Sequence, residues 1–358
     1  MKLKKLLFTI LLLVFVTGPA GCGPRQKIPL VVFGAGSLII PFDAVEKAFE
    51  SAHPDIDVQS QYHGSIQVIR HVSELHEKID VVASADQALI PMLMYQSTDP
   101  DNGQPYASWY IRFATNRLAV AYSAQSKYAD EINSQNWTDI LTRPGVKVGI
   151  ADPRFDAAGY RALMAFKLAE PVYQKPALFF DRFSGQFTMP FTVSDQDGAS
   201  IIHVPEIVET KSTSDLVLRG ASIQLIALIE SGDLDYAFDY ETVIQQHGLK
   251  IVTLPPEVNL GTDGYADIYR TVTVKEDFKR FASVEPVFVG DQIGYGITIP
   301  SNAPHLREAI EFIAFLLGPE GRRVMSENQH PLLDSPVADQ YEAVPQPLKS
   351  LCIPEGTP

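Results

Sequence analysis

Apolar and polar positions alternate along the first part of the chain in the order strand, turn, helix. The predicted elements are a strand at 28–33, a helix at 40–52, a strand at 56–62, a helix from 65 and a strand at 79–83. Strand periods give way to helical periods at Gly34-Ala35-Gly36-Ser37 and again at Gly64-Ser65. This alternation predicts an α/β fold with a mixed, mostly parallel sheet flanked by helices.

A second α/β section follows, and the chain then returns to a strand and a helix. Its predicted elements are strands at 118–122, 146–150, 234–240 and 249–254, helices after 159 and at 223–229, a return strand at 287–299 that is broken by Gly290, Gly294 and Gly296, and a helix at 306–317. The Pro-rich tail from His330 is expected to be irregular. Two sections with a late return predict two lobes joined by two crossovers, a design that closes on a ligand by hinge bending.

The predicted boundaries follow from this order. They are a signal peptide at 1–21, an anchor linker at 22–27, a first lobe at 28–117 plus 288–335, a second lobe with crossover segments at 118–287, and a tail at 336–358.

The N-terminus has the pattern of an export signal. Lys2, Lys4 and Lys5 precede an apolar run at 6–16 that is too short to span a bilayer comfortably. Ala20-Gly21-Cys22 then predicts processing of a lipoprotein, in which Cys22 carries the lipid and holds the mature chain on the outer face of a membrane. Ordinary secretion with cleavage nearby is the alternative.

Charge and cysteine content narrow the function further. The formal net charge of −14 argues against nucleic acid as a partner, since the chain has no basic stripe. If Cys22 is acylated, Cys352 is the one thiol left, so neither an internal disulfide nor a cysteine metal cluster is expected. We therefore expect a fold held together by packing alone.

The two Gly-Ser turns predict an anion site. Ser37 and Ser65 each follow a strand and precede a helix, and ligands of open α/β sheets bind at that edge. Hydroxyl groups and free amides at helix starts bind anions without Lys or Arg. A fully deprotonated dianion needs donors only, whereas hydrogen phosphate also needs an acceptor for its proton. The simpler interpretation of each pair is a helix N-cap.

Other chemistries fit less well. Ser37 is followed by Leu38-Ile39, so it lacks the Gly-x-Ser-x-Gly pattern of a serine hydrolase. The histidines show no zinc spacing, and Gly34-x-Gly36 lacks the third glycine of a dinucleotide site. Tyr236 and Tyr240 would suit ferric iron, but tyrosines in such a strand are more often packing residues. An enzyme using Ser37 or Asp156 stays open as an alternative.

Several motifs together resemble the archaeal-type tungstate/molybdate-binding proteins of ABC importers. The matching stretches are Ala35-Gly36-Ser37-Leu38, Gly64-Ser65, Asp80-Val81-Val82-Ala83-Ser84-Ala85-Asp86, Tyr128-Ala129-Asp130-Glu131-Ile132-Asn133, Gly232-Asp233-Leu234-Asp235-Tyr236-Ala237-Phe238, Gln246-His247-Gly248-Leu249 and Leu316-Leu317-Gly318-Pro319-Glu320-Gly321. The likeness covers roughly residues 28–335. It implies a two-lobed, type II periplasmic-binding-protein fold that carries a small oxyanion to a permease and its ATPase, as a monomer and without a cofactor.

The resemblance also implies a ligand set. Ser37 and Ser65 match the two hydroxyl donors of the first lobe. Ala158 matches a backbone N–H donor and Tyr240 a phenol donor of the second lobe. Asp156 matches the first of two carboxylates that bond the metal of the oxyanion directly.

Ser222 departs from this pattern, because the family has its second carboxylate, a glutamate, at that position. Without the glutamate, one direct ligand and one repelling charge are lost. The metal centre is then expected to be five-coordinate, or tetrahedral and held by hydrogen bonds. Asp156 has two other interpretations, as a helix N-cap or as the acceptor of a phosphate proton. Phosphate or sulfate binding, and an oxyanion sensor in place of an importer, therefore remain as alternatives.

Overall fold

A computed structural model describes residues 27–278 and 285–356. The strands are β1 (Ile28–Ala35), β2 (Ile56–His63), β3 (Val81–Ser84), β4 (Tyr110–Thr115), β5 (Leu118–Tyr122), β6 (Val148–Ala151), β7 (Thr192–Gln196), β8 (Ala199–Val204), β9 (Leu216–Arg219), β10 (Tyr236–Tyr240), β11 (Lys250–Thr253), β12 (Val272–Glu276), β13 (Val287–Val289), β14 (Gly294–Thr298), β15 (Leu332–Asp339) and β16 (Ile353–Pro354). The helices are α1 (Ile39–Ala52), α2 (Ser65–Ser73), α3 (Trp137–Leu141), α4 (Ala157–Tyr173), α5 (Leu178–Phe183), α6 (Ile223–Glu230), α7 (Glu241–Gln246), α8 (Ala266–Tyr269), α9 (Leu306–Leu317), α10 (Pro319–Glu327) and α11 (Gln346–Lys349), with 3₁₀ turns at Gly36–Leu38 and Tyr341–Ala343 and a π turn at Ile90–Met94.

The first lobe is built on one mixed sheet in the order β16-β15-β4-β14-β3-β1-β2. The strand β1 pairs in parallel with both β2 and β3, whereas β14 pairs antiparallel with β3 and β4. In the β1–β2 pair, Ala35 lies opposite His63. The turns that follow these two residues therefore leave the sheet side by side at its carboxyl edge.

The second lobe contains two further sheets among the described residues. One has the order β11-β5-β10-β6-β9 and the other β13-β12-β8-β7. The helix α4 packs against β6, β10 and β12, and so touches both sheets. This position explains why α4 is apolar on nearly all of its faces, since a helix covered on both sides has no face for water.

The chain passes between the lobes at two described points. It leaves the first sheet after Thr115 and enters the second lobe at Leu118, and it returns between Val289 and Gly294. The prediction of two lobes is therefore confirmed. The helices predicted at 40–52 and 306–317 form as α1 and α9, and their apolar faces, including Phe49 and Phe312, are buried in the first lobe.

Two predictions about the later chain are wrong. The segment 287–299 does not return to the first lobe as a whole, because β13 belongs to a sheet of the second lobe and β14 to the sheet of the first. The tail from His330 is not irregular, because β15 pairs with β4, and β16 pairs with β15. Both errors have the same physical cause. The strands β14 and β15 both pair with β4, which is far away in the chain, and the local sequence of a short strand does not specify such a partner.

The predicted signal peptide, the anchor Cys22 and the linker up to residue 26 lie outside the described residues. Within the parts of the chain that are described, no helix combines the length and the apolar character needed to cross a membrane.

Candidate binding site between the lobes

Ser37 and Ser65 follow two paired strands at the carboxyl edge of the first sheet. Ser37 sits in the 3₁₀ turn that joins β1 to α1, and Ser65 is the first residue of α2. Their relative exposures are 4% and 1%, so both hydroxyls are buried in the structure. The two Gly-Ser turns that stood out in the sequence thus meet at one place, as parallel pairing of their strands requires.

Each of these serine oxygens already accepts a hydrogen bond from the protein. The Tyr295 hydroxyl donates to Ser37 Oγ at 2.9 Å, and the Ala85 amide donates to Ser65 Oγ at 3.0 Å. A hydroxyl has one proton and two acceptor lone pairs. Because the oxygens serve as acceptors, each serine proton is left to be donated elsewhere.

The first amides of α2 bond to the second lobe, whereas the sequence predicts that they are free for an anion. The Ile66 amide donates to the Phe155 carbonyl oxygen at 3.1 Å, and the Gln67 amide points to the same oxygen at 3.4 Å. Phe155 belongs to the second lobe, and a Cβ added to Gly64 would overlap its carbonyl. The first amides of this helix therefore join the two lobes to each other. The lobes are closed, and glycine at 64 is what lets the two backbones approach.

Asp156 organises the second lobe's side of the cleft. Its Oδ1 accepts from the Ala158 amide at 2.9 Å, which caps α4, and its Oδ2 accepts from the Ser222 amide at 3.0 Å. Burial raises the pKa of the Asp156 carboxyl, while these two amides and the charge of Arg161 lower it in part. The N-cap interpretation of Asp156 is confirmed. The amide of Ala158, predicted as a donor to a ligand, donates to Asp156 in this arrangement.

Ser222 stands beside a carboxylate that sequence reasoning missed. The Ser222 hydroxyl donates to Asp239 Oδ1 at 3.0 Å, and the same oxygen accepts from the Tyr240 amide at 2.7 Å. Asp239 is completely buried, and its Oδ2 has no hydrogen-bond partner among the described residues. Burial raises the pKa of Asp239 to about 7, and the nearby charge of Asp156 adds to the rise.

Tyr240 is held by a buried arginine. Arg161 Nη1 donates to the Tyr240 hydroxyl oxygen at 2.6 Å, and the guanidinium also lies 3.1 Å from Asp86 Oδ2. Burial raises the pKa of Tyr240 well above its usual value, so the phenol keeps its proton. The acceptor side of this third hydroxyl is thus also filled by a protein donor, and its proton is free to be donated.

All six residues predicted for the site are buried within one connected network. The residues are Ser37, Ser65, Asp156, Ala158, Ser222 and Tyr240. Ser65 is linked to Tyr240 through Ala85 and Arg161, since Arg161 also donates to the Ala85 carbonyl at 2.8 Å. Ser37 is linked through Tyr295, whose ring centroid lies 6.0 Å from that of Tyr240.

Sequence reasoning missed Arg161, Asp86, Asp239 and Tyr295, although two of them left a signal. Arg161 is the one charged residue in the otherwise apolar stretch 157–166. Asp239 is the one charged residue of the strand Tyr236–Tyr240. A charge in a fully buried element must be paired, which marks such positions as candidates for a site.

A two-lobed α/β protein whose donors converge in a closed cleft belongs to the class of solute-binding proteins, which enclose a small ligand between their lobes. The family described as bacterial extracellular solute-binding proteins matches residues 30–328, and the chain belongs to that family. The prediction of a binding protein rather than an enzyme is thereby confirmed.

Relatives of similar length support the same assignment. The chain is 36% identical to the molybdate/tungstate-binding protein WtpA of Thermococcus kodakarensis, over 97% of this chain and 96% of the relative. It is 38% identical to an uncharacterised solute-binding protein of Petrotoga mobilis, over 96% and 95% of the two chains. The resemblance noted in the sequence motifs is therefore confirmed.

The fold recurs in solved structures of low sequence identity. The periplasmic molybdate-binding protein of Azotobacter vinelandii superposes with a TM-score of 0.53 at 15% identity, over 85% of this chain and all of that one. This likeness confirms the type II periplasmic-binding-protein fold.

Proposed function

We propose that this chain is the solute receptor of an ABC importer, and that it captures tungstate or molybdate and delivers the anion to a permease. The observation that carries the proposal is the state of the three hydroxyls of Ser37, Ser65 and Tyr240. Each oxygen accepts from a protein donor, so each proton is available to a ligand that only accepts. A fully deprotonated tetrahedral oxyanion is such a ligand.

The carboxylate of Asp156 fits a metal oxyanion better than sulfate. A carboxylate beside a dianion is repelled unless it bonds the central atom or takes a proton. Tungsten and molybdenum accept a further oxygen ligand, and sulfur in sulfate does not. In the proposed complex Asp156 turns toward the metal and releases the Ala158 amide to the anion. Ser222 occupies the position of the family's second carboxylate and contributes no charge.

The relatives add support that the geometry does not supply. The Thermococcus protein is described as a molybdate/tungstate-binding protein, and its likeness extends over nearly the whole chain. The proposal covers both metals, because the two anions have the same charge and the same shape.

Hydrogen phosphate is a second candidate, and Asp239 is the observation in its favour. In the ionised form of Asp239, the unpartnered Oδ2 is a buried acceptor, which the proton of hydrogen phosphate requires. The structure thus contains an acceptor as well as three donors, so phosphate has to be tested directly against the metal oxyanions.

A thermal-shift panel with sodium tungstate, molybdate, sulfate and phosphate tests the proposal. A ligand that binds only the folded protein stabilises it by mass action, by about 2.7 kcal/mol at a hundredfold excess over Kd, and so raises its melting temperature. We expect a rise with tungstate and molybdate and little change with sulfate. A response to phosphate alone would refute the metal-oxyanion assignment.

The lipid anchor is the second part of the proposal. Cys22 is proposed to become the first residue of the mature chain and to carry lipid, which keeps the receptor beside its permease on the outer face of the membrane. Mass spectrometry of the protein from membranes of an expressing host should show an acylated N-terminal cysteine. A Cys22→Ala variant should instead be found in the soluble fraction. Wild-type protein without lipid, cleaved at another residue, would contradict the anchor.

A further inference from the structure

A buried cation lies between the two lobes. Arg161, near the start of α4, has a side chain that is 5% exposed, and its contacts extend in two directions. Within its own lobe it donates to the Tyr240 hydroxyl oxygen. Across the cleft it donates to the Ala85 carbonyl and pairs with the Asp86 carboxylate of the first lobe.

We propose that Arg161 is the positioning residue of the oxyanion site and also its closing latch. This inference rests on the proposed function and extends it. The guanidinium fixes the Tyr240 phenol as a donor to the anion, and the same group fastens the second lobe to Ala85 and Asp86. One residue thus links the geometry of the site to the closure of the protein.

The first role follows from the geometry of the phenol. A tyrosine hydroxyl can either donate or accept, but Arg161 has five N–H donors and no acceptor. With Arg161 Nη1 at 2.6 Å, the Tyr240 oxygen must accept, and its proton must point to another group. The direction of that proton is therefore set before a ligand arrives, which lowers the cost of ordering the site on binding.

The second role follows from the partners in the first lobe. Asp86 receives the guanidinium at 3.1 Å and also accepts from the Tyr160 hydroxyl, so two adjacent residues of α4 hold one carboxylate. These contacts exist only while the lobes are together. Closure thus forms charge-assisted hydrogen bonds from Arg161 to two groups of the first lobe, and opening removes both.

Arg161 also compensates negative charge in the cleft. Asp86, Asp156 and Asp239 bring three carboxylates to the region, and Arg161 contacts or acts on two of them. Arg161 offsets part of the negative charge that these carboxylates would set against an incoming dianion. Neutral donors alone were expected from the sequence. The three hydroxyl donors are neutral, and the structure adds a guanidinium that donates to the oxygen of one of them.

The positioning role is tested with a double-mutant cycle on tungstate affinity, measured by calorimetry. Arg161→Lys keeps the charge but loses the planar fork, and we expect it to weaken binding about tenfold. In a Tyr240→Phe background the same change should cost at least threefold less, because there is no phenol left to orient. Arg182→Lys is the matched control, since Arg182 is another buried arginine of the second lobe that contacts the Asp215 carbonyl. Its affinity should equal that of the wild type.

An equal loss from Arg161→Lys in both backgrounds would overturn the positioning role. Unchanged affinity in Arg161→Lys would do the same.

The latch is tested by X-ray scattering without ligand and with tungstate. Arg161→Gln, and the milder Tyr160→Phe, should give a larger radius of gyration without ligand than the wild type, and should need several-fold more tungstate to close. Equal radii for wild type and both variants without ligand would overturn the latch. If wild type binds none of the oxyanions, the proposed function falls, and the ligand-free radii still decide whether Arg161 joins the lobes.

Discussion

Replacing Ser65 by alanine separates the stability of the site from its affinity. The change removes the proposed donor to the anion, and it also leaves the buried Ala85 amide, now 3.0 Å from Ser65 Oγ, without its acceptor. An orphaned buried amide costs about 1–3 kcal/mol of folding free energy. Losing a hydrogen bond to a charged ligand costs about 1.5–3 kcal/mol of binding, which is roughly a 10- to 150-fold rise in Kd.

Calorimetry with tungstate and urea unfolding of the ligand-free protein measure the two effects separately. Ser126→Ala is the matched control. Ser126 is a buried serine whose Oγ accepts from the Ser123 amide at 2.9 Å. It lies beyond Tyr122, at the opposite end of the β5–β10 pair from Tyr240. We expect both variants to lose a similar amount of stability and Ser65→Ala alone to lose affinity.

The reasoning is refuted if Ser65→Ala binds tungstate within twofold of the wild type while its stability falls as in Ser126→Ala. Such a result would mean that the Ser65 hydroxyl only holds the Ala85 amide.

Three further predictions follow from the same region. Burial raises the folded pKa of Asp239 to about 7 from an ordinary 3.8. The contribution of Asp239 to folding stability is therefore fully present below about pH 4 and is lost as pH rises through 7, at roughly 1.4 kcal/mol per pH unit in between. Asp239→Asn should remove this slope from urea midpoints measured between pH 5 and 8, and an unchanged slope would contradict the prediction. Ser222→Glu adds a carboxylate beside Asp156 and Asp239, so the melting temperature of the ligand-free protein should fall and its increase on adding tungstate should be larger. X-ray absorption should show a higher coordination number of the bound metal. An identical metal centre in wild type and variant would count against added coordination by the glutamate. Gly64→Ala places a Cβ against the Phe155 carbonyl and so hinders closure of the lobes. The radius of gyration should increase and tungstate affinity should drop at least tenfold, with circular dichroism unchanged. A variant that closes like the wild type would rule out this role of Gly64.

Local sequence signals were sufficient for the elements that carry the first half of the site. The strands around 28–33 and 56–62 and the helix at 40–52 were predictable, because periodicity and turn residues lie within each segment. The fate of 287–299 and of the tail was not predictable in the same way. There the deciding contacts are the pairings of β14 and β15 with β4, which is far away in the chain.

The candidate site likewise contains residues that the local sequence marks and residues that only long-range contacts identify. Ser37 and Ser65 were found because each is marked by a glycine and a change of period at its own position. Arg161 was not found, because its partner Tyr240 is 79 residues away and Asp86 lies in the other lobe. The sequence therefore predicts the neutral donors but not the guanidinium that holds one of them in place.

The contact between Phe155 and the first amides of α2 affects how the proposed permease would encounter this protein. The bond is made between two neutral backbone groups, and no anion takes part in it. Part of the free energy of closure is therefore present in the empty molecule, which should spend a share of its time shut. A permease that recognises the shut shape would then meet empty molecules as competitors of loaded ones. Import would saturate with the ratio of loaded to empty receptor, and overproducing the receptor at low tungstate would slow uptake rather than speed it.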